Sequence, residues 1–405
     1  MHDRRVRGRV LRLLSWIGLV AALLCITRPA SAYPWMIRHG YQGCVPCHAD
    51  PSGSGLLTEY GRAMGENVLR MRYGSPPPDE PSKVARFLFG VPTPDWLLLG
   101  GSVRNGVQLQ KSLDEGTSWK NRFLQMQADL RAQVTFSRFR ASGTLGYMWE
   151  AALPANITSR TEHNLSSREH WVGVDLGEDK QFLLRAGRLN IPFGIRTNEH
   201  EMLTRSSRVT RTNVNESQQH GIALSYSGQS VRGEVMAILG NYQLNPDKYR
   251  ERGYAGFVEF APKEKLSVGV SSMVTYAKED LQLGMSNMIR QVHGAFLRAS
   301  PVTPLVLMAE ADAVLFTSGS TTSAGFVSTV QADVEPIQGL HFLATGETWL
   351  QSDLIPGQLS KSFSGWATAL WFFAPHADLR FDFVAYSVMD QKVSVYLLPQ
   401  LHLYL

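Results

Sequence analysis

The sequence predicts a mostly β fold: a transmembrane antiparallel β-barrel of about 16 strands behind a small N-terminal α-helical segment. Three observations predict it. The chain opens on an export leader. From Trp96 to the last residue, apolar and polar side chains alternate with a period of two. The connections between these alternating segments are long and short in turn. At 44% apolar residues the 405-residue chain is too apolar for a disordered protein. Its formal charge of +5 comes from 40 basic and 35 acidic residues. Residues 1–32 hold six of the arginines and one acid, Asp3, which leaves 34 basic and 34 acidic residues in the remainder. A neutral body removes the electrostatic ground for nucleic-acid binding. Beyond the leader no apolar run approaches the roughly 18 residues of a membrane helix, which excludes a helical membrane protein.

Residues 1–32 read as a signal peptide. Arg4, Arg5, Arg7, Arg9 and Arg12 precede an apolar stretch over 13–26, and Ala30-Ser31-Ala32 supplies a small-residue cleavage site. A short membrane anchor is the alternative, and the apolar stretch is short for one. Lipid attachment at Cys25 is disfavoured because Leu24 precedes it. The mature chain begins at Tyr33 and keeps two cysteines, destined for the bacterial outer membrane.

Those two cysteines stand in Cys44-Val45-Pro46-Cys47-His48, the attachment signal of c-type haem. Each thiol adds across one vinyl group, and the following histidine becomes the proximal iron ligand. One haem c on Cys44, Cys47 and His48 is therefore expected. A thioredoxin-like dithiol would need a surrounding βαβ unit. A disulfide would strain so short a loop, and zinc would lack a second ligand pair. From Gly55 to Tyr73 the residues Leu57, Tyr60, Met64, Val68 and Met71 share one helical face. That helix should pack on the haem, making Met64 or Met71 the sixth ligand; the alternative is that both methionines only fill the apolar face. Met36 and His39 are weaker candidates, since the chain would have to double back. Met64 is the chosen distal ligand. The haem segment is assigned to 33–74 and a Pro-rich linker to 75–95.

Sixteen strands are predicted at 96–111, 121–135, 138–151, 168–177, 180–190, 218–227, 229–241, 252–262, 265–277, 287–299, 303–317, 322–335, 339–351, 362–375, 376–388 and 391–405. In the second, Leu124, Met126, Ala128, Leu130, Ala132, Val134 and Phe136 alternate with polar residues. In the last, Val393, Val395, Leu397, Leu401, Leu403 and Leu405 form a lipid-facing row opposed by Ser394, Tyr396, Gln400, His402 and Tyr404. An even strand count puts both barrel ends on the periplasmic side. A soluble β-sandwich or propeller would show fewer long strands or a repeat, and no repeat period is found.

The inner face is expected to carry Asp129, Arg131, Arg138, Arg140, Arg185, Glu234, Glu310, Asp312, Asp333, Glu347, Asp378, Arg380 and Asp382, pairing across strands around an aqueous lumen. The connection 191–217 holds Arg196, Arg205, Arg208 and Arg211 with Glu199, His200 and Glu201. It either folds inward, with its arginines beside haem propionates, or stays a solvated outer loop.

A one-haem segment joined to a barrel resembles the fused outer-membrane cytochrome–porins of iron-oxidising bacteria. Pro34, Arg38, Cys44, Cys47 and His48 fall at that family's spacing, while Met36 stands where Phe is commoner and His39-Gly40 departs from the usual Gln-Thr-Gly. The resemblance implies an electron-transfer conduit between an extracellular donor or acceptor, ferrous iron among the donors, and a periplasmic carrier such as a soluble cytochrome. Iron(II) oxidation would then be its only enzyme-like activity, and porin-like barrels often form oligomers in the lipid. A diffusion porin whose haem segment is a plug, gate or sensor is the alternative. A periplasmic haem enzyme would need a substrate pocket that the sequence does not show.

Overall fold

The computed structural model describes residues 33–405 except 54, 77–85, 115, 148–164, 198, 200–201, 207, 215–216, 353–359 and 389–391. The expected leader therefore lies outside the described residues, as do most of the Pro-rich run, Trp149, His200 and Glu201. From Leu97 to Tyr404 the chain forms one antiparallel sheet that closes on itself. The first strand, Leu97–Ser112, pairs with its neighbour Lys120–Phe136 and with the last strand, Ser394–Tyr404. The sheet has sixteen staves, because the short pieces Leu165–Ser166 and His170–Leu176 both lie against the same edge of Phe139–Tyr147. Among the described residues no helix is long and apolar enough to cross a membrane; the barrel crosses with strands.

Alternation sets the two faces. Leu130, Phe136, Phe139, Val172, Val270 and Val330 are exposed on the outside, while Asp129, Arg185, Glu234, Arg298 and Asp333 are buried inside. An apolar exterior around a polar interior is the cross-section of an outer-membrane barrel. The last strand follows its expected pattern, with Leu397, Leu401 and Leu403 outward and Tyr396, Gln400 and His402 inward. Leu405 departs from it, lining an internal cavity at the rim.

The second strand contains a larger departure. Arg104 pairs with Gln127 and Asn105 with Gln125, so Met126 is an extra residue. Such a bulge reverses which side chains face inward. Beyond it Phe123 is exposed, whereas Leu124 and Met126, expected on the lipid face, pack on the internal cluster of Trp366, Val384 and Tyr396. Arg138 also leaves the expected inner row: it is exposed in the tight turn after the second strand and donates to the Gly177 carbonyl at 2.6 Å.

Both ends of the barrel chain, Leu97 and Tyr404, sit at the end that carries the tight turns, which is the periplasmic end in this architecture. Odd connections are the longer ones with a single exception, the two-residue turn between Leu305–Ser318 and Thr321–Ile337. The lumen is not a simple aqueous channel. Residues 34–73 fill its periplasmic end, and the connection between Phe182–Leu189 and Gln219–Ser227 crosses its middle as a strap. Apolar clusters bury Trp35, Ile37 and Leu69 from the first, and Ile191, Phe193 and Val209 from the second, against inward wall residues.

Candidate functional site

The N-terminal segment is seated residue by residue at the turn end. The turn of 3-10 helix Pro34–His39 closes on Gly40, whose φ of +79° suits a residue without a side chain. Arg38 is buried, ion-paired with Asp333 and, at 3.2 Å, with Glu335, and it donates to the Pro304 carbonyl at 2.9 Å. Gln42 reaches the Lys263 carbonyl at 3.0 Å, and the Met71 amide reaches Phe372 at 2.9 Å. Gln338 donates to the Asn67 and Arg70 carbonyls at 3.0 Å each. These contacts run around much of the periplasmic rim.

Cys44, Cys47 and His48 lie on one tight turn, in which the Cys47 and His48 amides both donate to the Cys44 carbonyl, at 3.1 and 3.0 Å. Both thiols are buried and unbridged. A second limb is tied to this turn. Ala49 bonds the Leu56 carbonyl and Thr58 bonds the Cys47 carbonyl, each at 2.9 Å. The Thr58 hydroxyl donates to Pro46 at 2.5 Å and accepts from the Gly61 amide at 3.0 Å, capping the helix Glu59–Met64. Gly61 is what lets that helix lie against the motif, since a Cβ there would stand 2.2 Å from the Cys47 carbonyl oxygen. Arg62 bonds Glu59 within the helix at 2.6 Å and fastens the helix to the wall through the Leu99 carbonyl.

The helix is shorter than its periodicity predicts. It continues only as a π turn, Gly65–Leu69, which shifts the face. Leu69 is buried, whereas Tyr60 is exposed and Met71 lies past the helix end. Among the four sequence candidates for a sixth ligand, Met64 and Met36 line a cavity together with Cys47 and His48. Met71 does not line it. His39 is directed at the wall, 3.4 Å from Glu335. The empty space there, open solvent at its mouth included, is about 1140 Å3. Met64 sulfur accepts a bond from the Tyr41 hydroxyl at 3.1 Å, and Tyr41 shares a second bond with Tyr60 at 3.0 Å. Burial and that Tyr60 bond push the Tyr41 phenol up, so it stays a donor. Cys47, His48 and Met64 share this cavity, and Cys44, one turn away, lines the neighbouring one beside Arg232. Two thiols on one turn, an adjacent imidazole and a thioether are a donor set that fits a covalently attached haem.

Charge surrounds the site. Asp50 pairs with Arg185, which also bonds Glu234 at 2.5 Å. Burial works against the Asp50 carboxylate, but Arg185 and the Ser52 amide together hold it below the usual range. The strap brings charge from the other side. Arg205 pairs with Glu310, Arg211 with Glu251 at 3.1 Å and Asp280 at 2.8 Å, and Glu199 with Arg380. Arg208 is exposed, and Arg196 lines the cavity. Of the two orientations open to this connection in the sequence, the inward one is found. Sequence reasoning missed Tyr41, Arg104 and His402 as neighbours of the site. For Arg104 and His402 the inward phase of the first and last strands was the available signal; Tyr41 had none.

No protein-family description matches the chain, and no curated protein matches it. Solved structures do. Outer-membrane OmpT of Vibrio cholerae is 9% identical with a TM-score of 0.59, covering 78% of this chain and 100% of its own. The outer-membrane channel DcaP of Acinetobacter baumannii is 12% identical, TM-score 0.55, covering 76% and 97%. An anion-selective porin from Comamonas acidovorans is 10% identical, TM-score 0.55, covering 76% and 99%. At these identities the likeness is one of fold, and the fold is the outer-membrane porin barrel of sixteen strands.

Proposed function

We propose that this chain is an outer-membrane electron-transfer conduit of the fused cytochrome–porin kind, with one haem c on Cys44 and Cys47. The observation that carries the proposal is the folding of the Cys-x-x-Cys-His turn into the lumen, beside a cavity that Met64 also lines. Bound there, haem c supplies a one-electron centre that a protein wall lacks. His48 and Met64 would hold its iron. Tyr41 holds the Met64 sulfur by donating to one lone pair, and the other would be left for the iron. The N-terminal segment and the strap exclude bulk water and solutes from the lumen, leaving electrons as the cargo. Seating at the turn end supports exchange with a periplasmic carrier, such as a soluble cytochrome, and an external donor, ferrous iron among the candidates, would be met from the loop end.

The test is a reduced-minus-oxidised spectrum of outer membranes from a host competent in haem c maturation, followed by reduction from outside in sealed vesicles. Cys44→Ala and His48→Ala are expected to abolish the signal and the electron flow while the barrel still assembles. Electron flow retained in either variant overturns the proposal. Likeness to the porin barrels favours a second reading, a diffusion porin with the haem segment as plug, gate or sensor. OmpT has been solved in a trimer form, and an oligomer of this chain belongs to that reading. It predicts solute flux, with no electron transfer across vesicles.

A further inference from the structure

We infer that Arg104, on the first strand, and Arg196, on the strap, bind the two propionate carboxylates of the haem. The inference rests on the haem reading above and adds the groups that neutralise the cofactor's own charge. Several guanidiniums elsewhere in the lumen have carboxylate partners: Arg38 has Asp333, Arg205 has Glu310 and Arg298 has Glu259. On the cavity itself, Arg131 and Arg168 both turn to Asp129, at 3.1 Å each.

Arg104 and Arg196 line the same cavity and are placed differently. Arg196 is 7% exposed, yet none of its three guanidinium nitrogens has a hydrogen-bond partner among the described residues. Glu234 stands 3.6 Å from it, an ion pair without a hydrogen bond, and its other oxygen is bonded by Arg185 at 2.5 Å. The Phe257 ring, 5.4 Å from its central carbon, accepts no in-plane bond. A buried guanidinium without hydrogen bonds is costly unless a ligand completes it. Arg104 makes one polar contact among the described residues, to His402 Nδ1 at 3.4 Å, and that histidine is already held by Asp378 at 2.9 Å. Two cations without a hydrogen bond to any carboxylate among the described residues, on one cavity, match a ligand that brings two carboxylates, which guanidinium binds with paired hydrogen bonds. The same cavity offers Met36, Leu57 and Leu69 to an apolar macrocycle.

The experiment uses the full chain matured with haem. Arg104→Gln and Arg196→Gln are made singly, with Arg104→Lys, Arg196→Lys and the exposed strap variant Arg208→Gln alongside. Covalent haem on a denaturing gel checks the haem reading separately, because its absence from the parent chain defeats that reading first. With haem attached, each Gln variant is expected to lower the midpoint potential, since a cation that disfavours the ferric state is gone. The propionate bending band in resonance Raman shifts with it. Each Lys variant restores the potential at least in part but still shifts the band, as a point charge replaces a fork. Arg208→Gln moves neither readout. An unmoved potential and band at either position overturns the pairing. Where a Gln variant fails to assemble, the band of its Lys counterpart decides alone.

Discussion

Two segments enter one lumen from opposite ends, and they are held there differently. The N-terminal segment presents Trp35, Met36, Ile37 and Leu69 to a wall patch of Phe296, Val306, Leu343 and Phe372, and its polar contacts divide between backbone carbonyls and the ion pairs of Arg38 and Asp50. The strap packs Ile191, Phe193 and Val209 on the wall, but it is latched by the ion pairs of Glu199, Arg205 and Arg211 to Arg380, Glu310, Asp280 and Glu251. The apolar part of the seat fails when volume is removed. A latch made of charge fails when a carboxylate is neutralised. One barrel can therefore carry a permanent closure and a conditional one.

The largest expected effect separates the two closures. Deleting residues 33–76 should leave a barrel that assembles and conducts ions steadily in planar bilayers, where the full chain conducts little. The strap would still limit the size of solutes that pass. Equal conductance with and without the segment would assign closure to the strap alone and undo the comparison.

A smaller effect tests the seat itself. Trp35 is buried, stacked on Tyr33 with ring centroids 4.6 Å apart and set against the His341 ring at 4.3 Å. Trp35→Ala should cost the segment about 3–5 kcal/mol of seating energy. The readout is protease release of the N-terminal peptide, with the barrel's heat-resistant mobility on gels unchanged. Release at the parent rate would mean that Arg38 and the rim carbonyls carry the seat without the apolar contact.

How much of this was legible in the sequence follows the same division. The staves were readable because lipid outside and polar groups inside impose a period of two on every strand, and Leu397, Leu401 and Leu403 obey it. The bulge at Met126 was not, because an inserted residue leaves composition untouched while reversing phase. Cys44, Cys47 and His48 announce themselves through covalent chemistry at fixed spacing. Met64 and Met71 could not be separated by periodicity, because the π turn Gly65–Leu69 alters the angle per residue. The strap's direction was hidden for another reason. Arg205 and Arg211 suit solvent as well as they suit a carboxylate, and their partners Glu310 and Asp280 lie far along the chain.

The finest test acts on the latch through pH. Asp280 sits just beyond the strand Leu266–Glu279, between the Arg211 and Arg290 guanidiniums, 2.8 and 2.7 Å away. Burial alone would raise its pKa, but the two cations hold it below its ordinary 3.8. A carboxyl depressed on docking stabilises the docked state fully above that ordinary value and loses the contribution as pH falls through the lower, docked one. The strap should therefore stay latched through neutral and mildly acidic conditions and loosen only below about pH 4. A fluorophore on Arg208→Cys, an exposed strap position, should show constant mobility down to that point and a rise beneath it. Asp280→Asn should raise mobility already at neutral pH, because Arg211 and Arg290 then share Glu251 alone. Loosening of the unaltered strap near pH 6 would show that a group other than Asp280 sets the latch. The strap would then answer to the lumen's remaining acids rather than to this pair of arginines.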